Sequence, residues 1–120
     1  MATTKAGTTQ ELAAIADRYT YRVTWSPEDA SHVATCLELP SISWLADTAT
    51  HSLQGIQKLA LEVLTDMQKE REEIPIAFAE RSYSGEFRLR IPPTLHRELA
   101  LEAAEQGISL NRLASNKLAG

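Results

Sequence analysis

Apolar and polar residues alternate strictly in YTYRVTW, residues 19–25. Tyr19, Tyr21, Val23 and Trp25 share one parity, and Thr20, Arg22 and Thr24 take the other. Such alternation in strand-prone residues predicts a β-strand with one apolar face. SPEDAS, residues 26–31, supplies a turn through Pro27 and Asp29. HVATCLEL follows as a second strand and Pro40 ends it, so the pair predicts a β-hairpin. SISWLA, residues 41–46, is expected as a third strand. Ahead of the hairpin, residues 10–17 could form a short helix, and residues 1–9 are small and polar, as in a frayed end.

The period then changes. In DTATHSLQGIQKLALEVLTDMQKEREE, from Asp47, the residues Ala49, Leu53, Ile56, Ala60, Val63 and Met67 recur at steps of three and four. This predicts an amphipathic helix capped by Asp47 or Thr48. PIAFAE, residues 75–80, is expected to return as a fourth strand, giving the order β-β-β-α-β. RSYSG, residues 81–85, reads as a linker. Beyond it, EFRLRI at 86–91 alternates again, and Pro92 and Pro93 start a helix with the cap at Pro93 or Thr94. That helix carries Leu95, Leu99, Ala103 and Ala104 inward and stops at Gly107. Ser109 caps a last helix bearing Leu110, Leu113, Ala114 and Leu118. The fold class expected is α+β. Its parts are an N-terminal extension (1–18), a first domain (19–80), the linker (81–85) and a β-α-α module (86–120).

Composition narrows the function classes. The chain has 120 residues, 43% hydrophobic and 23% charged, as in a soluble globular protein. No apolar run is long enough for a membrane helix, and MATTKAGTTQ lacks the apolar core of a secretory signal. The single Cys36 has no disulfide partner within the chain, which suits a reducing cytoplasm. Net charge is −4, against a coat for non-specific nucleic-acid binding. Residues 1–81 hold 7 Lys and Arg against 12 Asp and Glu, whereas residues 82–120 hold 5 against 4. The acidic part and the near-neutral part could therefore meet different partners.

The last segment is too small to stand alone. One strand and two short helices fall below the size at which a single core suffices, and a lone strand leaves both edges unpaired. A second copy would supply both the missing strand and the missing core. Phe87, Leu89 and Ile91 would then form the dimer core. Glu86, Arg88 and Arg90 would face outward on a two-stranded ribbon of the size that enters the major groove.

Residues 84–119 resemble a ribbon-helix-helix DNA-binding module. The resemblance implies base reading of double-stranded operator DNA by Glu86, Arg88 and Arg90. It also implies phosphate binding at the start of the last helix by Ser109, Leu110 and Asn111, where free amides and the helix dipole favour an anion. Residues 19–118 together, from YRVTWSPEDASHVATCLELPSISWLADTATHSLQGIQKLALEVL to IPIAFAERSYSGEFRLRIPPTLHRELALEAAEQGISLNRL, resemble a HicB-type antitoxin. Residues 44–46 read WLA where that family often has a glycine. The resemblance implies a partial ribonuclease-H-like fold in the first domain, which would bind and mask a HicA-type toxin that cleaves mRNA. It implies repression of the shared operon by the C-terminal module. A homodimer through the C-terminal strand is expected on the stability grounds above, with a higher oligomer if the first domain pairs separately.

Enzyme chemistry finds little support. His32, His51 and His96 share no ligand spacing. Glu28, Asp29, Glu38 and Asp66 show no spacing that would converge them on metal ions and are read as surface charge. No catalytic residue, metal or cofactor is expected. Trp25 shares a parity with Tyr21 and Val23 and should face the helix. Trp44 follows a polar turn and is the candidate toxin contact. The alternatives are a stand-alone ribbon-helix-helix regulator whose first domain senses a ligand or oligomerises, and a metal-dependent nuclease.

Overall fold

The computed structural model describes residues 7–120 together with the backbone of Thr3–Thr4. Two units divide between Ser82 and Tyr83, within the polar stretch 81–85. The expectation of a frayed start at 1–9 lies largely outside the described residues. Within them, β1 (Thr3–Thr4) pairs with β5 (Ile74–Pro75), and α1 (Thr9–Asp17) follows. Thr8 caps α1 by accepting from the Glu11 amide. Leu12 and Ala16 are buried, and α1 packs on the long helix of this unit. Helix α1 therefore contributes Leu12 and Ala16 to the core of the first unit.

The hairpin is β2 (Tyr21–Ser26) and β3 (Ser31–Cys36), and β4 (Ser43–Ala46) completes an antiparallel sheet in the order β2-β3-β4. Val23 lies opposite Ala34, which lies opposite Trp44. This row and the Tyr21–Cys36 row face α2 (Ala49–Lys69). Arg22, Thr24, Thr35, Ser43 and Leu45 take the other parity and are exposed. Thr48 caps α2 by accepting from the His51 amide at 3.0 Å. The buried stripe of α2 is Ser52, Ile56, Ala60 and Leu64, an i, i+4 row; Leu53, Val63 and Met67 pack only partly against it. Ser52 is tolerated in the core because its hydroxyl donates to the Ala49 carbonyl at 2.8 Å.

Three expectations are corrected here. Residues 75–80 do not form a strand beyond Pro75, because proline lacks a donor and the Phe78 amide donates to the Glu38 carboxylate. A 3₁₀ turn, Phe78–Glu80, follows instead. Trp25 has the apolar parity but sits at the end of the sheet beside Ser26, where it is 54% exposed and packs edge-on against His32 at 5.0 Å. Residues 86–91 have no ladder partner within the single chain and so make no strand.

The second unit contains α3 (Pro93–Gln106) and α4 (Leu110–Ala119). Pro92, rather than Pro93 or Thr94, holds the cap position of α3, with Pro93 opening the first turn. Gly107 ends α3 at φ 68°, in the left-handed region that a residue without a Cβ adopts readily. Ala103 and Leu113 are the buried apolar residues of this unit, whereas Leu95 and Leu118 remain exposed.

Candidate functional site

The second unit leaves several of its large apolar side chains uncovered. Phe87 is 76% exposed and Leu89 63% exposed, while Ile91 is half-buried. Leu89, Ile91, Leu95, Leu99, Leu110 and Leu118 line an open cavity of about 390 Å³. Glu86, Arg88 and Arg90 are exposed. In one chain, both parities of residues 86–91 therefore meet solvent, an arrangement a soluble protein seldom leaves uncovered.

Ser109 caps α4 by accepting from the Arg112 amide at 3.0 Å. Leu110 and the exposed Asn111 both line the open cavity. Any anion held there would meet the backbone amides of the first turn rather than the Leu110 side chain. Lys117 is engaged with Glu102 at 3.2 Å, on the surface.

In the first unit, Trp44 packs its indole against α2 at Gly55, where a Cβ would collide with it. It keeps 43% of its surface exposed, and Leu45 beside it is 47% exposed on the opposite face. The exposed parity of the sheet is a mixed surface of Arg22, Thr24, Thr35, Ser43 and Leu45.

The carboxylates do not converge. Asp29 accepts from the Ser26 hydroxyl at the hairpin turn, and Asp66 lies on α2. Among the described residues, no three His, Cys, Asp or Glu side chains form a group able to hold a metal ion. Glu38 proves unlike the others. It is 6% exposed and accepts hydrogen bonds from Thr20 and Phe78. Burial alone would raise its pKa, but the amides of Phe78 and Thr20 outweigh burial and hold the carboxyl below its ordinary value. Beside it, burial pushes the Cys36 thiol up to about 11. Treating Glu38 as surface charge missed this role. The available signal was an acid placed between Leu37 and Leu39 at the end of an apolar strand.

With the geometry in place, comparison with known proteins is informative over one stretch. The model of the HicB family matches residues 69–118. The match runs from the end of α2 through the exit segment and nearly all of the second unit, and it supports a HicB-type reading there. The chain matches no curated protein and no solved structure. No helix among the described residues is long and apolar enough to cross a membrane.

Proposed function

We propose that this chain is a non-enzymatic antitoxin of the cytoplasm. In this reading it binds and occludes a HicA-type, mRNA-cleaving toxin and represses its own operon through the C-terminal module. The observation that carries the reading is the HicB-family match at residues 69–118. It falls on a unit whose apolar side chains lack a cover of their own.

The mechanism follows from that incompleteness. A second copy would pair its residues 86–91 antiparallel with those of the first and bury Phe87, Leu89 and Ile91 from both chains. The ribbon so formed would present Glu86, Arg88 and Arg90 to the major groove of double-stranded operator DNA. Arginine can contact guanine O6 and N7 together, and glutamate can accept from the cytosine amino group. The amides at Ser109, Leu110 and Asn111 would hold a phosphate and set the register. Occlusion belongs to the first unit, through a surface that includes Trp44. A toxin that holds RNA should present a basic face, and residues 1–81 are net acidic, with 7 Lys and Arg against 12 Asp and Glu.

Co-expression of a tagged chain with the small protein encoded beside it tests the reading. A stable complex that blocks RNA cleavage by that partner is expected. A chain that binds promoter DNA as a dimer but captures no partner would point instead to a stand-alone regulator.

A further inference from the structure

Glu38 is a buried carboxylate with no ion-pair partner among the described residues. The ion pairs among the described residues are Arg18–Glu80 and Lys117–Glu102, and neither involves it. A carboxylate taken out of water is costly unless its oxygens are saturated with hydrogen bonds. Here they are. Oε1 accepts from the Thr20 amide at 2.8 Å, and the Cys36 thiol lies 3.7 Å away. Oε2 accepts from the Thr20 hydroxyl at 3.1 Å and from the Phe78 amide at 3.0 Å. Each of these neighbours acts as a donor. A glutamine would set its own NH₂ group against one of the two backbone amides, so the site demands two acceptor oxygens.

The donors come from separate places. Thr20 precedes β2, and its carbonyl also accepts from the Leu37 amide at 2.9 Å. Glu38 itself lies in the turn between β3 and β4, which is closed by Leu39 N–H to Cys36 O at 3.3 Å and Ile42 N–H to Leu39 O at 3.2 Å. Leu37 in that turn is 51% exposed.

Phe78 opens the short turn through which the chain leaves the first unit. The Arg81 guanidinium stacks 3.9 Å from the Phe78 ring centroid, and its Nε donates to Ile76 O at 2.9 Å. Glu80 pairs with Arg18 at 3.1 Å. Residues 82–92 then carry no helix or strand and are exposed, apart from the half-buried Ile91. The Glu38 side chain thus ties the β3–β4 turn to the Phe78–Arg81 segment through which the chain leaves the first unit.

We propose that Glu38 is a positioning residue that couples the β3–β4 turn to the exit segment at Phe78–Arg81. A protein partner that seats on the turn would thereby tighten or loosen the start of the chain leading to the C-terminal module. The functional consequence rests on the antitoxin reading above. The coupling itself does not, and it can be measured without DNA or toxin.

The test is amide hydrogen exchange by NMR on the full chain, comparing wild type, Glu38→Ala, Pro40→Gly and the double variant. Pro40 is an exposed residue of the turn. Glu38→Ala removes both acceptor oxygens and should speed exchange of the Phe78 amide by roughly 2–10-fold, the range for losing one hydrogen bond, while the Ile56–Leu64 amides hold. Pro40→Gly should also speed Phe78 exchange, yet add nothing in the Glu38→Ala background. If Glu38→Ala fails to fold, Glu38→Gln replaces it in the same cycle and is read at the Thr20 and Phe78 amides together, since its NH₂ group opposes one of them. Unchanged Phe78 exchange in Glu38→Ala, unchanged exchange at both amides in Glu38→Gln, or additive effects in the double variant, would overturn the proposal. Failure to bind operator DNA or toxin would overturn the antitoxin reading instead and leave the exchange result standing.

Discussion

The indole of Trp44 lies where a Cβ on residue 55 would sit, so β4 and α2 approach each other on the condition that residue 55 is glycine. Elsewhere in an exposed helix, glycine to alanine would be worth about 1 kcal/mol of added stability. Here overpacking, at about 1–3 kcal/mol, outweighs that gain. Gly55→Ala should therefore lower stability by about 1 kcal/mol in urea melts. Trp44, already 43% exposed, should move further into water. Its emission should shift to the red in a Trp25→Phe background. Unchanged emission with raised stability would show that the contact is not formed in solution.

Pairing of the C-terminal segments gives a second prediction. Fully burying a Phe or Leu side chain contributes about 1.5–3 kcal/mol, and Phe87 and Leu89 are both exposed in one chain. A carboxylate at Leu89 would put an uncompensated charge into the shared core. Leu89→Asp should run in light scattering near the single-chain mass of 13.3 kDa, with wild type at twice that or more. A wild-type monomer at micromolar concentration would contradict pairing.

The acid limb of stability should report Glu38. Its pKa is lowered in the folded chain, so between that value and the ordinary carboxylate value of about 4.3 the unfolded chain binds the proton more readily. The stabilisation is complete above about pH 4.3 and is lost as pH falls through the folded value. At pH 7, Glu38→Gln should be about 1–3 kcal/mol less stable than wild type, the cost of a buried polar group left mispaired. The gap should narrow as urea melts are repeated toward pH 3. A gap independent of pH would mean that the carboxylate is not held as described.

Much of this architecture was legible in the sequence, and the misses have physical causes. Alternation located the hairpin because one face of β2 and β3 is covered and the other is not. The long period of α2 located the helix, but the inner row is Ser52, Ile56, Ala60 and Leu64. Ser52 escapes a hydrophobic count because its hydroxyl is satisfied by its own helix. Trp25 had the correct parity, yet parity carries no information on where a covering helix ends. The strand expected at 75–80 ends at Pro75 because a ladder needs donors, and Pro75 has none while Phe78 donates to Glu38. Residues 86–91 show a strand pattern without a strand, since no described segment of the chain offers them a ladder partner. In the candidate site, Arg88 and Arg90 are exposed as expected, but so are Phe87 and Leu89 of the other parity. Glu38 carried only a local signal, an acid between Leu37 and Leu39, because its donors arrive from 18 and 40 residues away.

The central claim is that the outward residues of the C-terminal segment read bases. The most direct measurement is the affinity of the full chain for its own promoter DNA by fluorescence anisotropy, for wild type, Arg88→Ala and Arg90→Ala, at two salt concentrations. Each substitution should weaken specific binding by about 1–3 kcal/mol and bring it closer to binding of unrelated DNA. Wild-type binding should fall steeply with salt as counterions are released. If both variants bind the promoter as wild type does, the ribbon does not read DNA and the account is contradicted.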